Sequence, residues 1–138
     1  WTAGARSFCT PSNGFDLGES GRSHKNICPD DLRESFVAAF QAGRTLNDAR
    51  DRVSDLERKI ETDTARLEQV RSELISTAAA QLNPLLTPTR RGELVAELQG
   101  LNDEKKRLIA DIPQARLELD TAKREFDDLT RAASSTSY

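Results

Sequence analysis

Two stretches of the 138-residue chain repeat apolar residues at alternating spacings of three and four, and this pattern limits the possible folds more than any other feature. The first seam is made of Leu46, Ala49, Val53, Leu56, Ile60, Asp63, Leu67, Val70 and Leu74. The second seam is made of Leu94, Leu98, Leu101, Lys105, Leu108, Ile112, Ala115, Leu119, Ala122, Phe126 and Leu129. Each seam contains a single charged residue. The pattern predicts two long amphipathic helices, over residues 30–80 and 90–133.

The segment between the two predicted helices, residues 81–89, has the sequence QLNPLLTPT. Asn83-Pro84 disfavours a continued helix, whereas Thr87-Pro88 is typical of a helix start. Because a short connection tethers the two seams, each is expected to bury its apolar side against the other. We therefore predict an all-α fold, a long antiparallel two-helix coiled-coil hairpin with its turn at these nine residues.

The turn also predicts a register for the two helices. A turn centred on Pro84 places Leu67 opposite Leu101, and the same register places Asp63 opposite Lys105. We interpret Asp63 and Lys105 as a register pair, because slippage of the helices would bury each charge against leucine. The alternative is that both side chains extend into solvent from a narrow seam.

Pro113 lies inside the second predicted helix, where its ring nitrogen cannot donate a hydrogen bond to the carbonyl of Ile109. The heptad spacing continues across Pro113, which predicts a kink near this residue. The alternative is a complete break, in which Asp111 caps a third helix. After the second helix, residues 134–138, SSTSY, are predicted to be a disordered tail.

Residues 1–29 precede the hairpin and contain four of the seven glycines, both cysteines and the only Trp and His. This composition predicts a short N-terminal loop segment. Three apolar residues near the start of the first helix lie outside the seam: Phe36, Val37 and Phe40. They would form an exposed apolar patch unless another segment packs on them. The apolar residues of the segment that we expect to pack on them are Trp1, Phe8, Phe15, Leu17 and Ile27.

Cys9 and Cys28 are spaced to close a loop, and in an oxidising compartment a disulfide there would stabilise the fold by about 3 kcal/mol. One alternative is a metal site, but with His24 the cysteines supply one ligand fewer than structural zinc requires. Another is a Cys–His nucleophilic pair, for which the sequence offers no orienting third group. We therefore predict a disulfide, no metal, no cofactor and no catalytic residue.

The charge pattern bears on the partners of the chain. The 20 basic and 23 acidic residues are mixed along the sequence, so no basic face for nucleic acid is expected. No run of apolar residues is long enough to predict a transmembrane segment. The sequence begins at Trp1 and contains no Met, which leads us to expect that a targeting segment lay upstream.

The segment FCTPSNGFDLGESGRSHKNICP resembles a family of bacterial envelope proteins, mostly lipoprotein-like, whose domain has no assigned function. The resemblance extends through Phe36 and Gly43-Arg44 and covers roughly residues 1–46. Similar proteins usually have an aromatic residue at the position of His24. The resemblance implies a periplasmic or outer-envelope location in a Gram-negative bacterium, with anchoring through an upstream segment as one option. It implies no activity.

These observations predict a non-catalytic structural or interaction protein of the cell envelope that binds a protein partner or a second copy of itself. Leu82, Leu85 and Leu86 at the turn are candidates for a docking site; the alternative is that they only close the end of the hairpin. The second functional hypothesis is an adaptor or inhibitor subunit of a larger envelope complex, or a homo-oligomeric coiled coil. Its interface would include the apolar residues off the seam, Ile75, Val95, Ile109 and Leu117.

Overall fold

A computed structural model describes residues 2–24, 27–136 and 138 of the chain. Four helices follow one another: α1 (Thr2–Phe8), α2 (Pro11–Glu19), α3 (Asp30–Ala80) and α4 (Pro88–Ser135). The described ranges contain no β-strand. The predicted all-α fold is confirmed, since α3 and α4 form a hairpin that follows a disulfide-closed N-terminal segment.

The prediction that residues 1–29 form a loop is wrong over α1 and α2. Thr10 caps α2, its Oγ1 accepting a hydrogen bond from the amide of Asn13 at 3.2 Å, and Pro11 follows at the first helical position. The glycine content of residues 1–29 predicts a loop, but it does not exclude a helix. Here Thr-Pro has the same role as Thr87-Pro88 at the start of α4, and Gly14 and Gly18 lie within the helix.

The long helices lie close to their predicted bounds. α3 spans the predicted residues, and α4 begins two residues before and ends two residues after its prediction. The prediction of a disordered tail is wrong at Ser134 and Ser135, whose hydroxyls donate to the carbonyls of Thr130 and Arg131 at 3.0 and 2.9 Å. Further on, the ring of Tyr138 stacks on Phe15 with centroids 4.7 Å apart.

Pro113 lies within α4, which continues as a helix on both sides of it. A complete break at Asp111, the alternative to a kink, is therefore wrong. Pro113 and Ile109 are both exposed, so the carbonyl that loses its helical donor can bind water.

The chain divides into two compact units. Unit 1 comprises Trp1–Asp55 and Asp120–Tyr138, and unit 2 comprises Leu56–Leu119. In unit 2 the predicted seam residues form the core, which is centred on Val70, Leu108 and Ile112. Leu67, Leu74 and Leu101 pack against these three side chains.

The core of unit 1 is built around a disulfide. Cys9 and Cys28 are bonded to each other and pack with the fully buried Phe36, as predicted. Phe8 and Leu17 of the N-terminal segment join this cluster. Two of the other expected contributors lie elsewhere: Ile27 is 36% exposed, and the ring of Phe15 stacks on Tyr138. Trp1 falls outside the described residues.

The backbones of helices α2 and α3 approach each other closely at Gly18 and Gly43. A Cβ atom on Gly18 would overlap the carbonyl oxygen of Phe40 and the amide nitrogen of Arg44. From the other helix, a Cβ atom on Gly43 would overlap the carbonyl oxygen of Phe15. The glycines are therefore required for the close approach of the two backbones.

Candidate functional site at the end of the hairpin

The loop that joins α3 to α4 has a regular internal hydrogen-bonding pattern. The amides of Gln81, Leu82 and Asn83 donate to the carbonyls three residues earlier, at 3.1 to 3.3 Å, and so extend α3 by a tight turn. The side chain of Asn83 then accepts a hydrogen bond from the amide of Leu85 at 2.9 Å. This local bond is typical of asparagine in turns, and it fixes the backbone around Pro84.

Arg91, in the first turns of α4, ties the loop to that helix. Its guanidinium donates to the carbonyls of Gln81 at 3.1 Å and of Asn83 at 3.5 Å. Thr87 caps α4 by accepting a hydrogen bond from the amide of Arg90 at 3.1 Å. The conformation of the loop is thus set by its own bonds.

Of the three leucines predicted as a docking site, Leu86 is half-buried. Leu82 and Leu85 are 82% and 87% exposed, more than any other large apolar side chain in the described residues. The docking site and the alternative that the leucines only close the hairpin both stay predictions, and the docking prediction concerns mainly the two exposed leucines.

Ion pairs follow one edge of unit 2. The guanidinium of Arg66 binds the carboxylate of Glu104 through two hydrogen bonds, the one from Nη2 to Oε2 measuring 2.8 Å. The bonded guanidinium lowers the pKa of Glu104 below its ordinary value. The predicted register places Leu67 opposite Leu101 and Asp63 opposite Lys105. Arg66 and Glu104 lie between these two pairs of opposed residues. Their contact therefore agrees with that register.

The carboxylate of Asp63 binds the ammonium group of Lys59, one turn earlier on α3, at 2.7 Å. Among the described residues no ion pair joins Asp63 to Lys105, and their facing arrangement across the seam stays a prediction. The hydrogen bond that Lys59 donates to the carboxylate of Asp63 raises the pKa of Lys59. This pair on one helix satisfies the charge of Asp63, while the side chains of Arg66 and Glu104 connect the two helices from the rim.

The opposite edge of unit 2 carries exposed apolar side chains. Val95 and Ile109 are both exposed, and they directly follow the buried seam residues Leu94 and Leu108. Arg66, in contrast, directly precedes a seam residue, Leu67. By helix geometry these two placements lie on opposite edges of the hairpin. The exposed Ile75 and Leu117 add to the apolar surface of the unit.

In unit 1, the disulfide is part of the core cluster around Phe36, and the ring of His24 packs against the same phenylalanine. Cys9 and Cys28 are both buried, and the described residues contain no free cysteine. The His24 ring packs edge-on against Phe36 and Phe40, with centroids 5.4 and 4.4 Å away. Residues 2–24, 27–136 and 138 contain no group of three or more His, Cys, Asp or Glu that could hold a metal ion.

Sequence reasoning missed two features of these sites. One is the close α2–α3 contact, for which the four-residue spacing of Gly14 and Gly18 is a usable signal. The other is Arg50, which bonds the Glu19 carboxylate at 3.0 Å and lies over the Phe126 ring, 5.8 Å from its centroid. No spacing rule singles out this arginine, because its partners are distant in sequence.

The fold and these sites define a class of helical-hairpin protein with a disulfide-closed helical segment at its N-terminus. No helix in the described residues is long and apolar enough to cross a membrane.

Comparison with known proteins finds a match for the N-terminal third of the chain. Residues 1–45 match the model of a family described as "Protein of unknown function (DUF2799)". The matched region contains the disulfide and the glycines that lie against the backbone of the opposite helix, which are Gly14, Gly18 and Gly43. No curated protein and no solved structure matches the chain.

Proposed function

We propose that the chain is a non-catalytic interaction protein of the bacterial cell envelope, which presents the end of its hairpin to a partner. The observation that carries this proposal is the exposure of Leu82 and Leu85 on a loop whose conformation is fixed by its own hydrogen bonds. Large apolar side chains on a preformed loop can bind a partner without a large loss of conformational entropy.

The disulfide supports a location in the envelope. Disulfides persist in oxidising compartments such as the bacterial periplasm, and Cys9 and Cys28 are both consumed in one buried bond. The resemblance of residues 1–46 to envelope proteins points the same way. We propose the periplasm or outer envelope, with an anchor in an upstream segment as one option.

Position-specific photocrosslinking in intact envelopes tests the proposal. A photoreactive amino acid in place of Leu85 is expected to give discrete crosslinked products, and the same amino acid in place of the exposed Gln99 serves as the control in the same unit. Adding Leu82→Ser should weaken the products from position 85. Equal crosslinking from both positions would contradict the proposal.

A second candidate is an adaptor or inhibitor subunit, or a homo-oligomer, that uses the apolar edge of unit 2. The observation in its favour is the exposure of Val95 and Ile109 on the edge opposite the ion pairs. Light scattering coupled to size exclusion tests self-association. An oligomer that dissociates on Val95→Ser/Ile109→Ser would favour this candidate, and a monomer would leave only a hetero-complex.

A further inference from the structure

The end of the hairpin differs in charge from the rest of the chain. Residues 74–92 contain no Asp or Glu, although 23 of the 138 residues are acidic. The same stretch contains Arg90 and Arg91 as well as the exposed Leu82 and Leu85. Apolar side chains next to arginine, without carboxylates, are the composition that favours the interface of an anionic membrane.

The two arginines are bonded differently. Arg90 shares its charge with the carboxylates of Glu93 at 3.0 Å and Glu97 at 3.4 Å, both of which follow the acid-free stretch. Arg91 donates to two carbonyls of the loop, and in the described residues it forms no ion pair. Its positive charge therefore remains at the base of the loop that carries the leucines.

We propose that Leu82 and Leu85 insert into the interfacial region of an anionic lipid bilayer, with Arg91 close to the headgroup phosphates. The inference rests on the proposed function, because it names the partner of the same site. A bilayer interface accepts two leucines without a shaped pocket, and the lack of carboxylates removes the repulsion that an anionic surface would otherwise exert. The internally bonded loop loses little conformational entropy on insertion.

The expected binding is weak and reversible. Burial of each leucine should increase partitioning into the bilayer by about tenfold. One arginine near an anionic surface should add about fivefold. The contribution of Arg91 should decrease at high salt, because counterions screen it within a Debye length.

Co-sedimentation of the oxidised full chain with vesicles tests the inference. Vesicles of equal parts phosphatidylglycerol and phosphatidylcholine are compared with pure phosphatidylcholine vesicles. The wild-type chain should bind the anionic vesicles more tightly, and Leu82→Ser/Leu85→Ser should lower the partition coefficient by about a hundredfold. Arg91→Gln should remove the preference for anionic vesicles. Ile109→Ser, at an exposed aliphatic residue away from the loop, should bind as wild type does.

Two results would overturn the inference: no sedimentation of the wild-type chain with anionic vesicles, or equal sedimentation of the double leucine variant. Circular dichroism melting of each variant shows whether the chain is still folded, and the salt dependence of wild-type binding tests the charge contribution without any substitution. Selective protein crosslinks from position 85 without vesicle binding would reject the lipid and keep the proposed function. Absence of both would reject the two together.

Discussion

In unit 1, α2 and α3 approach until glycines on each helix face the backbone of the other, whereas in unit 2 leucine and valine side chains fill the space between α3 and α4. Unit 1 adds a disulfide and the bond between Arg50 and Glu19. Unit 2 adds a row of charged side chains along one rim. A repeated seam therefore suffices for two long helices, while two helices of seven and nine residues require covalent closure and close backbone contact.

Removal of the disulfide should have the largest effect and should be confined to unit 1. Cys9→Ser/Cys28→Ser is expected to destabilise unit 1 by about 3 kcal/mol, because the unfolded chain gains the freedom of the opened loop. Amide hydrogen exchange measures this by residue. Protection should decrease at Phe36 of unit 1 and stay constant at Val70 of unit 2. Equal loss at both residues would show that the units do not differ in this way.

The glycine contact can be tested with a matched pair of substitutions. Gly18→Ala should destabilise the chain by about 2 kcal/mol, since its methyl group would force the backbones of α2 and α3 apart. Gly100→Ala, at a position of α4 with open space around it, should instead stabilise by about 1 kcal/mol through helix propensity. Urea unfolding gives both values. Stabilisation by both substitutions would remove the close contact from the account.

The rim of unit 2 should show a pH-dependent contribution. The pKa of Glu104 is lowered in the folded state, so its stabilisation is present above the ordinary glutamate pKa and is lost as the pH falls through the lowered value. Glu104→Gln should therefore lower the melting temperature at neutral pH. The difference from wild type should shrink as the pH falls below the ordinary glutamate pKa and disappear below the lowered pKa of Glu104. Glu68→Gln, at an exposed residue of α3, is the control, and a pH dependence of equal size there would contradict the assignment.

The smallest effect on stability is expected at the end of the hairpin. Leu85→Ser should change the free energy of unfolding by less than about 0.5 kcal/mol, because the side chain is exposed. Leu86→Ser, which removes a half-buried neighbour, should cost more. Thermal melts compare the two variants. A larger cost at Leu85 would mean that this leucine serves the fold and not a partner.

The sequence predicts unit 2 better than unit 1 for a physical reason. The six side chains that form the core cluster of unit 2 are all residues that one heptad rule selects, so this core follows from a repeated spacing. The partner of Asp63 did not follow, because that spacing cannot tell whether a carboxylate finds its cation on the same helix or across the seam. In unit 1, Gly14 and Gly18 resemble turn residues until the backbone of α3 is known to lie against them.

The candidate site was predicted in part. The two prolines and three leucines of the turn were readable from the sequence, and so was the location of the loop. The division of the leucines into a half-buried Leu86 and exposed Leu82 and Leu85 depends on the loop conformation, which Asn83 and Arg91 fix. Bonds of this kind are set by three-dimensional proximity and have no periodic signature.

Spin-label distances in unit 2 test the antiparallel pairing of α3 with α4 most directly. The native cysteines are joined and buried, so cysteines introduced in place of Arg66 and Glu104 can be labelled selectively. Matched pairs combine position 66 with position 97 or position 111. We expect the shortest distance between positions 66 and 104. A shorter distance in either matched pair, or no close pair at all, would contradict the antiparallel pairing of α3 with α4.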